Sequence, residues 1–573
     1  MRKYLHVDLG QRAVTTETLE GEALARAGRY HIVKTLLERG ATDVDPLSPN
    51  NPLIFSAGPF AGTNFSNANR LSVGCRSPMT GGVKESNAGG TMAFAFGQLE
   101  IAGMTLNGAA DDWVVIRIPK EGDITFEAAD DILGLGVFDA AAKLRERYGE
   151  KAALGICSPV AEYGGLIGGI AFTDPEGRPV RIAARGGVGA VMASKKVKAI
   201  VCDQHKMPTF HDRKKVMGAV RTYGNMISED PAAQNMGRNG TALVADITNL
   251  TGGLPVNNFS NGQLVDPSEG VLKMGGDFIR ERNVERGGDP THACMPGCMI
   301  RCSNIYADEN GDELVSPLEY ETIGLLGTNC GLTEPDDLAR LNAVANDLAI
   351  DTIETGATIA ILMDHGEAAY GDLAFMTQAL EDIRDGNERG KLLAEGTAKV
   401  GAHFGIARVP IIKGQAISAY DPRVIEVTGI SMMVTAQGAD HTVGNLPAQD
   451  CKGLTTAEIV DLSMGVQINC AAWDSLGLCV FGRSVSNVNH PLIIEALDNA
   501  LGTQLPEDFL ITLGRETLAM EDEFTRAVGF TEEDDELPSF FYDEELPPTG
   551  NKARHRAAEV NQHLRAWLDA HPV

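Results

Sequence analysis

The stretch THACMPGCMIRCSN, residues 291–304, sets three of the chain's ten cysteines at one regular spacing: Cys294, Cys298 and Cys302. On a helix, steps of four residues would gather three side chains on one side, drifting about 40° per step. Pro296 and Gly297 break that geometry, so the segment reads as a loop with a Pro-Gly bend that wraps three thiolates around one centre. Three close ligands and a distant fourth would describe a four-iron cluster. The spacing alone leaves three alternatives: ordinary buried cysteines, a zinc site with His292 as a further ligand, and a radical S-adenosylmethionine site, whose usual C-x3-C-x2-C spacing is not matched in the second gap.

Around this loop the chain changes character. Up to about residue 205 it is rich in glycine and in short β-type runs, WVVIRIP, GLIGGIAFTD, PVRIAARGGVGAVMA and VKAIVC, bounded by Gly, Asp, Asn and Pro. After HKMPTFHDRKK the apolar residues recur at three- and four-residue steps, as in DDLARLNAVANDLAIDTIETGATIAILMD, LAFMTQALEDIRDG and AEIVDLSMGVQINCAAW. The expected fold is α+β: a β-rich, cofactor-binding domain over 1–208, a mainly helical domain over 209–412 with the three spaced cysteines, and a mainly helical domain over 413–573. FTEEDDELPSFFYDEELPPTG (530–550) reads as an acidic surface segment, and the run from Lys552 as a helix packing back on the body.

At 573 residues the chain is long enough for about two to four domains, which excludes a small disulfide-stapled scaffold. Irregularly spaced cysteines without an export signal favour thiols or metal ligands. No window offers about 18 uninterrupted apolar residues, and the first residues lack the apolar core of a secretory leader. The sequence therefore reads as cytoplasmic, without a membrane span. With 49 basic against 78 acidic residues the formal charge is −29, which excludes nucleic acid and anionic membranes as general partners.

Six motifs spread along the chain, RLSVGCRSPMTGGVKESNAGGT (70–91), AARGGVGAVMASKKVKAIV (183–201), CMPGCMIRC, LEYETIGLLGTNCGL (318–332), QGADH (437–441) and WDSLGLCVF (473–481), together resemble the tungsten-dependent aldehyde:ferredoxin oxidoreductase family. The similarity covers nearly the whole length in the right order. It implies a tungsten bis-pterin beside a [4Fe-4S] cluster; molybdenum fits the same cofactor. The family's fourth cluster ligand lies in a D-x-x-G-L-C motif, here Asp474 to Cys479, so Cys479 is expected to join Cys294, Cys298 and Cys302. The C-x3-C-x3-C spacing marks a variant, expected to be bacterial, of the family's better-known C-x2-C-x3-C. Cys470 is expected to be a core residue.

The resemblance further assigns Asp474, Gly477 and Leu478 to one pterin. A second copy of the motif appears in altered form as Asn346-Asp347-Leu348-Ala349-Ile350-Asp351, which would bring Asn346 and Asp351 to the cofactor. Arg76 is expected at a pterin phosphate. The backbone carbonyls of Asn87 and Gly186 would ligate a Mg2+ bridging the two phosphates, with Arg185 beside it. Without the family, GVGAVMASKKVKAI reads as a strand–turn–helix with a solvated basic face.

Aldehyde oxidation adds oxygen from water and removes two electrons, so it needs a base near a carbonyl as well as a metal. In EYE, taken as an extended or turn segment, Glu319 and Glu321 would share one side. Glu319 is the expected base and Glu321 its alternate. His441 matches the family's active-site histidine, with Tyr420 beside it, and Gln437 stands where members often carry arginine. The expected activity is of the aldehyde:ferredoxin oxidoreductase type: oxidation of an aldehyde to a carboxylic acid, or the reverse, in an anaerobic setting, with electrons leaving for ferredoxin or a small iron–sulfur subunit. A benzoyl-CoA-type aromatic reductase on the same cofactor and a non-catalytic iron–sulfur electron-transfer subunit are the alternatives. The second would need the cysteines but not Glu319 or His441. Homo- and hetero-oligomers both suit the sequence.

Overall fold

The computed structural model describes residues 1–572. Two six-stranded sheets fill the first part. One has the order β2 (Ala13–Leu19), β1 (Arg2–Asp8), β6 (Ile101–Asn107), β3 (Leu53–Ala57), β4 (Leu71–Arg76), β5 (Val83–Ala88); the other runs β11 (Arg181–Ala183), β10 (Ile170–Phe172), β9 (Ala153–Cys157), β12 (Val197–Cys202), β7 (Val114–Ile118), β8 (Thr125–Ala128). Strands β3, β9 and β12 are buried at every residue, as their near-continuous apolar runs require when both faces are covered. One apolar cluster that includes Phe55, Leu106, Ile116, Phe172 and Ile200 joins the two sheets.

From residue 213 onward helices dominate, so the expected α+β class holds, with the helical periodicities realised as Pro335–Leu348, Thr352–Asp364, Leu373–Asp385 and Thr456–Leu476. The last is started by a capping box between Thr455 and Glu458 and is buried on nearly every face, which makes it the central pillar of the helical part. Its C-terminal end meets the N-terminal sheet so closely that a Cβ on Gly58 would lie 1.9 Å from the Leu476 carbonyl. Among the described residues no helix is long and apolar enough to cross a membrane.

Two local readings are corrected here. In the acidic stretch 530–550, Leu537, Phe540, Phe541, Tyr542 and Leu546 are buried, and Phe541 packs edge-on against Phe259. Half of the carboxylates are exposed, Asp535 is buried against Lys413 and Asn561, and the aromatics anchor the strap, after which the helix Ala557–Ala570 returns onto Thr456–Leu476. The glycine-rich run 183–201 is a turn, a helix (Val188–Ser194) and strand β12, not strand–turn–helix, and its basic residues Lys195 and Lys198 are buried rather than solvated. Lys198 donates to the Cys157 carbonyl (2.9 Å) and pairs with Glu162, which compensates the cost of its burial.

Candidate active site and metal–sulfur centre

The cysteine loop lies against the N-terminal region. Gly90 N–H donates to the Cys294 carbonyl (2.9 Å), Asn69 Nδ2 to the Pro296 carbonyl (3.0 Å), and Met299 N–H to Ser66 Oγ (3.0 Å). Cys479 reaches the same place from the end of the Thr456–Leu476 helix, its N–H on the Asn67 carbonyl at 2.7 Å and its own carbonyl receiving Asn67 Nδ2 at 3.1 Å. Cys298 and Cys479 are buried, and Cys294 and Cys302 nearly so. Burial pushes the Cys294 thiol up to about 12; the facing Cys298 and Cys479 charges push the same way, and the guanidiniums of Arg181 and Arg70 oppose them. Cys302 is raised well above the ordinary thiol range by burial and then by Cys294, Glu319, Cys479 and Cys298. Four neighbouring cysteines, with backbone N–H groups of Arg301, Ile300 and Asn67 aimed at the Cys298 sulfur, fit the ligand set of an iron–sulfur core. Cys470 is buried among apolar residues, as expected of a core thiol, and His292 bonds to Asp174 (3.1 Å).

Asp474 lies in a sealed seam of charge. Asn87 Nδ2 stands 3.3 Å from Asp474 Oδ1 and 3.4 Å from Glu85 Oε2. Arg29 reaches Asp474 (3.5 Å) and holds Glu521 through two bonds of 2.7 and 2.8 Å. Gln437 closes the seam, its Nε2 on Glu521 (2.7 Å) and its Oε1 on the Glu85 N–H (2.7 Å), a structural link rather than a substrate contact. Burial raises both Asp474 and Glu85 above the usual carboxylate range, and the Glu85 charge raises Asp474 further. Glu85 Oε1 is buried without a partner. An orphaned carboxylate oxygen beside a second carboxyl fits a cofactor that offers paired N–H donors, as an aminopyrimidinone does.

The two copies of the pterin motif share a backbone path. The pillar helix ends at Gly477 (φ 68°), followed by buried Leu478 and then Cys479, which starts a new turn; the helix Pro335–Leu348 ends at Ala349 (φ 49°), followed by buried Ile350 and then Asp351. The side chains of the second copy are otherwise engaged. Asn346 Nδ2 donates to the Ser316 carbonyl (3.0 Å), and Asp351 caps the next helix by accepting the Ile353 N–H (2.9 Å) while pairing with Arg185 (3.3 Å).

The arginine assignments also change. Arg76 donates to the carbonyls of Gly81 (2.9 Å), Thr42 (2.6 Å) and Val44 (2.7 Å), so its guanidinium belongs to a neighbouring loop. Arg70 instead lies beside Cys479 and Cys294 and donates to the Asn87 carbonyl (2.9 Å). The β4–β5 register explains why: Arg76 pairs with Val83 at the closed end of the hairpin, whereas Ser72 pairs with Asn87 near the open end, next to Arg70. Arg185 is a clamp between regions, bonded to Asp351, Ser418 Oγ (3.0 Å) and the carbonyls of Ala439 (2.8 Å) and Ala416 (2.6 Å). The Gly186 carbonyl accepts from Ser77 Oγ (2.8 Å).

The EYE segment is not extended. Tyr320–Thr322 forms a helical turn that widens over Ile323–Gly327, a widening frequent at functional sites, and the two glutamates diverge. Glu319 bonds to Thr241 Oγ1 and faces the Cys302 side, while Glu321 accepts the Ala419 N–H (2.9 Å) with Oε2 and turns Oε1 to His441 Nε2 at 3.3 Å. His441 Nδ1 stands 2.9 Å from Ser418 Oγ, and Tyr420 stacks obliquely 5.4 Å from the imidazole. Burial raises both glutamates above the ordinary range, opposed at Glu319 first by the Thr241 hydroxyl and at Glu321 first by His441. Tyr420 is raised well above its usual value by burial and then by the Glu321 charge. Thr241, Ser418, Arg70 and Glu85 escaped the sequence reading; only Arg70 left a signal, through the Gly81-Gly82 turn that sets the hairpin register.

Four facing thiols, an acid-lined seam and a glutamate–histidine–tyrosine group define an oxidoreductase built around a metal–sulfur centre and an organic cofactor. Residues 4–204 match the model of the aldehyde ferredoxin oxidoreductase N-terminal domain and residues 218–571 that of its domains 2 and 3. The chain belongs to the aldehyde ferredoxin oxidoreductase family, whose cofactors are a tungsten-bearing pterin and an iron–sulfur cluster. It is 28% identical to the tungsten-containing aldehyde ferredoxin oxidoreductase of Pyrococcus furiosus, over 99% of this chain and 96% of that protein. The Pyrococcus horikoshii enzyme of the same description is 27% identical over 96% of this chain and 93% of its own. A WOR-like subunit of an aliphatic sulfonate oxidoreductase from Pyrococcus furiosus is 25% identical over 98% of this chain and 93% of its own. Among solved structures, the active-site complex BamBC of benzoyl coenzyme A reductase with 1,5-dienoyl-CoA superposes with a TM-score of 0.81, covering 100% of this chain and 95% of that one; at 16% identity the likeness is one of fold.

Proposed function

We propose that the protein oxidises an aldehyde to its carboxylic acid, or runs the reverse, and passes the electrons to a ferredoxin or a small iron–sulfur subunit. The observation that carries this reading is the half-buried Glu321–His441 pair at 3.3 Å, beside the buried Tyr420. Asp474, Glu85, Asn87 and Arg70 would hold the pterin, and Cys294, Cys298, Cys302 and Cys479 the cluster. When bound, the tungsten–pterin would supply the two-electron acceptor for the oxidation.

The chain's own residues handle the protons. With Nδ1 tied to Ser418, His441 has its Nε2 free for the substrate oxygen and Glu321 Oε1. Glu321 has its pKa lifted toward the working pH by burial, which suits a general base that removes a proton from the attacking water. Glu319, held by Thr241 on the cysteine side, is assigned the lesser part.

The test is a pair of variants assayed with simple aldehydes and a viologen dye, with benzoyl-CoA in parallel. Glu321→Gln should lower kcat by about 100-fold or more with tungsten and iron content unchanged, and Glu319→Gln by less than about tenfold. Full activity of Glu321→Gln removes the assignment, and turnover of benzoyl-CoA without aldehydes replaces the substrate class.

A further inference from the structure

Between Cys298 and Cys302 the chain comes to the surface. Met299 is 51% exposed although both neighbours, Cys298 and Ile300, are buried, and Arg301 is exposed beside it. Two helices frame this outcrop. A Cβ on Gly224, in the helix Arg213–Glu229, would lie 4.0 Å from Met299 Cγ, and that helix turns Tyr223 inward to the side of Cys479 and Cys298. Gly237, on the helix Pro231–Asn239, sits so close to Ile300 that a Cβ there would lie 2.3 Å from its carbonyl.

Both helices carry exposed cations close in sequence to the residues that meet this loop. Arg221, one turn before Gly224, and Arg238, next to Gly237, are both exposed, and Lys214 extends the row along the first helix. Among the described residues none of Arg221, Arg238, Arg301 and Lys214 has a carboxylate within 4.0 Å. On a chain of net charge −29, where Arg178, Arg340 and Arg408 are all paired at the surface, an unpaired basic ring around one exposed apolar residue is a local inversion of charge. Methionine at its centre supplies a soft, adaptable apolar contact.

We propose that this Met299-centred basic surface is where a small acidic iron–sulfur protein of the ferredoxin class docks. Its charge complements the ring, the overall negative charge of the chain repels it elsewhere, and the patch lies directly over two of the thiols. One electron leaves the reduced cluster held by Cys294, Cys298, Cys302 and Cys479 and enters the oxidised cluster of the partner, with no bond made or broken. The inference rests on the proposed outflow of electrons to such a partner but not on the aldehyde.

The test uses the metal-loaded protein and an acidic ferredoxin carrying two [4Fe-4S] clusters. The cluster is reduced photochemically with a deazaflavin, so no substrate enters, and both the transfer rate and the dissociation constant by titration calorimetry are measured. Raising the salt from about 20 to about 300 mM should slow transfer by the wild type at least tenfold, because screening shortens the reach of the ring. Arg221→Glu with Arg238→Glu should weaken binding and slow transfer by about tenfold or more while leaving iron content and viologen reduction unchanged. A salt-independent wild-type rate, or a double variant that binds ferredoxin like the wild type, overturns the docking surface. Normal ferredoxin transfer in a protein inert toward aldehydes would sink the substrate reading alone.

Discussion

The charged seam around Asp474 and the basic ring around Met299 treat charge in opposite ways. In the seam Arg29, Glu521, Glu85 and Gln437 are buried and cross-bonded, with a lone Glu85 oxygen left over. In the ring Arg221, Arg238, Arg301 and Lys214 are exposed and without a carboxylate partner, while Cys298 and Ile300 on either side of Met299 are buried. Buried charge is tolerated only when each group is answered, so a leftover acceptor marks where a cofactor's donors belong. Exposed cations meet no such demand, so an unpaired set points outward, to a partner.

The sharpest way to break the comparison is at the sulfur. Cys479→Ser should abolish iron binding, whereas Cys470→Ser, nine residues earlier inside the helix Thr456–Leu476 and in the apolar core, should leave iron unchanged; equal iron in the two would remove Cys479 from the centre. Next in size is the seam. Arg29→Leu strands Glu521 and Asp474 together in the interior and should cost roughly 3 to 5 kcal/mol in denaturant unfolding. A loss below about 1 kcal/mol would show that water reaches the seam.

A partly open pair falls between the two extremes. Asp336 accepts from Arg286 at 2.7 and 2.8 Å and from the Tyr306 hydroxyl at 2.7 Å, and these contacts, the Arg286 bond first, hold its carboxyl down at about 2. A depressed carboxyl stabilises the fold above its unfolded value of about 4 and loses that contribution as pH falls toward about 2. Because solvent screens the pair, about 1 kcal/mol should disappear across that window, and Asp336→Asn should flatten this part of the stability–pH curve. Smallest is the ring itself: Arg238→Leu should change stability by no more than about 0.5 kcal/mol, since it breaks no ion pair.

The short apolar runs between turn residues announced the strands, and the three- and four-residue steps the long helices, because burial enforces both residue by residue. The D-x-x-G-L-C segment was legible for the same local reason, since Gly477 takes the left-handed turn that ends its helix. What stayed hidden depends on register or on distant partners. Arg70 immediately precedes β4 and Arg76 ends it, and the hairpin pairing sends them to opposite ends of the strand. Glu319 and Glu321 look alike in sequence, and a helical turn sends them to Thr241 and His441 respectively. The aromatics of the acidic strap were masked by the charges around them, although Phe541 is fully buried.

The short stretch from Ser66 to Gly90 holds both the loop of Cys294, Cys298 and Cys302 and the segment of Cys479 through hydrogen bonds. No portion of the polypeptide cut at the end of the sheets would own a complete set of thiols. The four thiols proposed to hold the cluster would therefore meet only in the folded chain, once the cysteine loop and the Cys479 segment have both docked on this stretch.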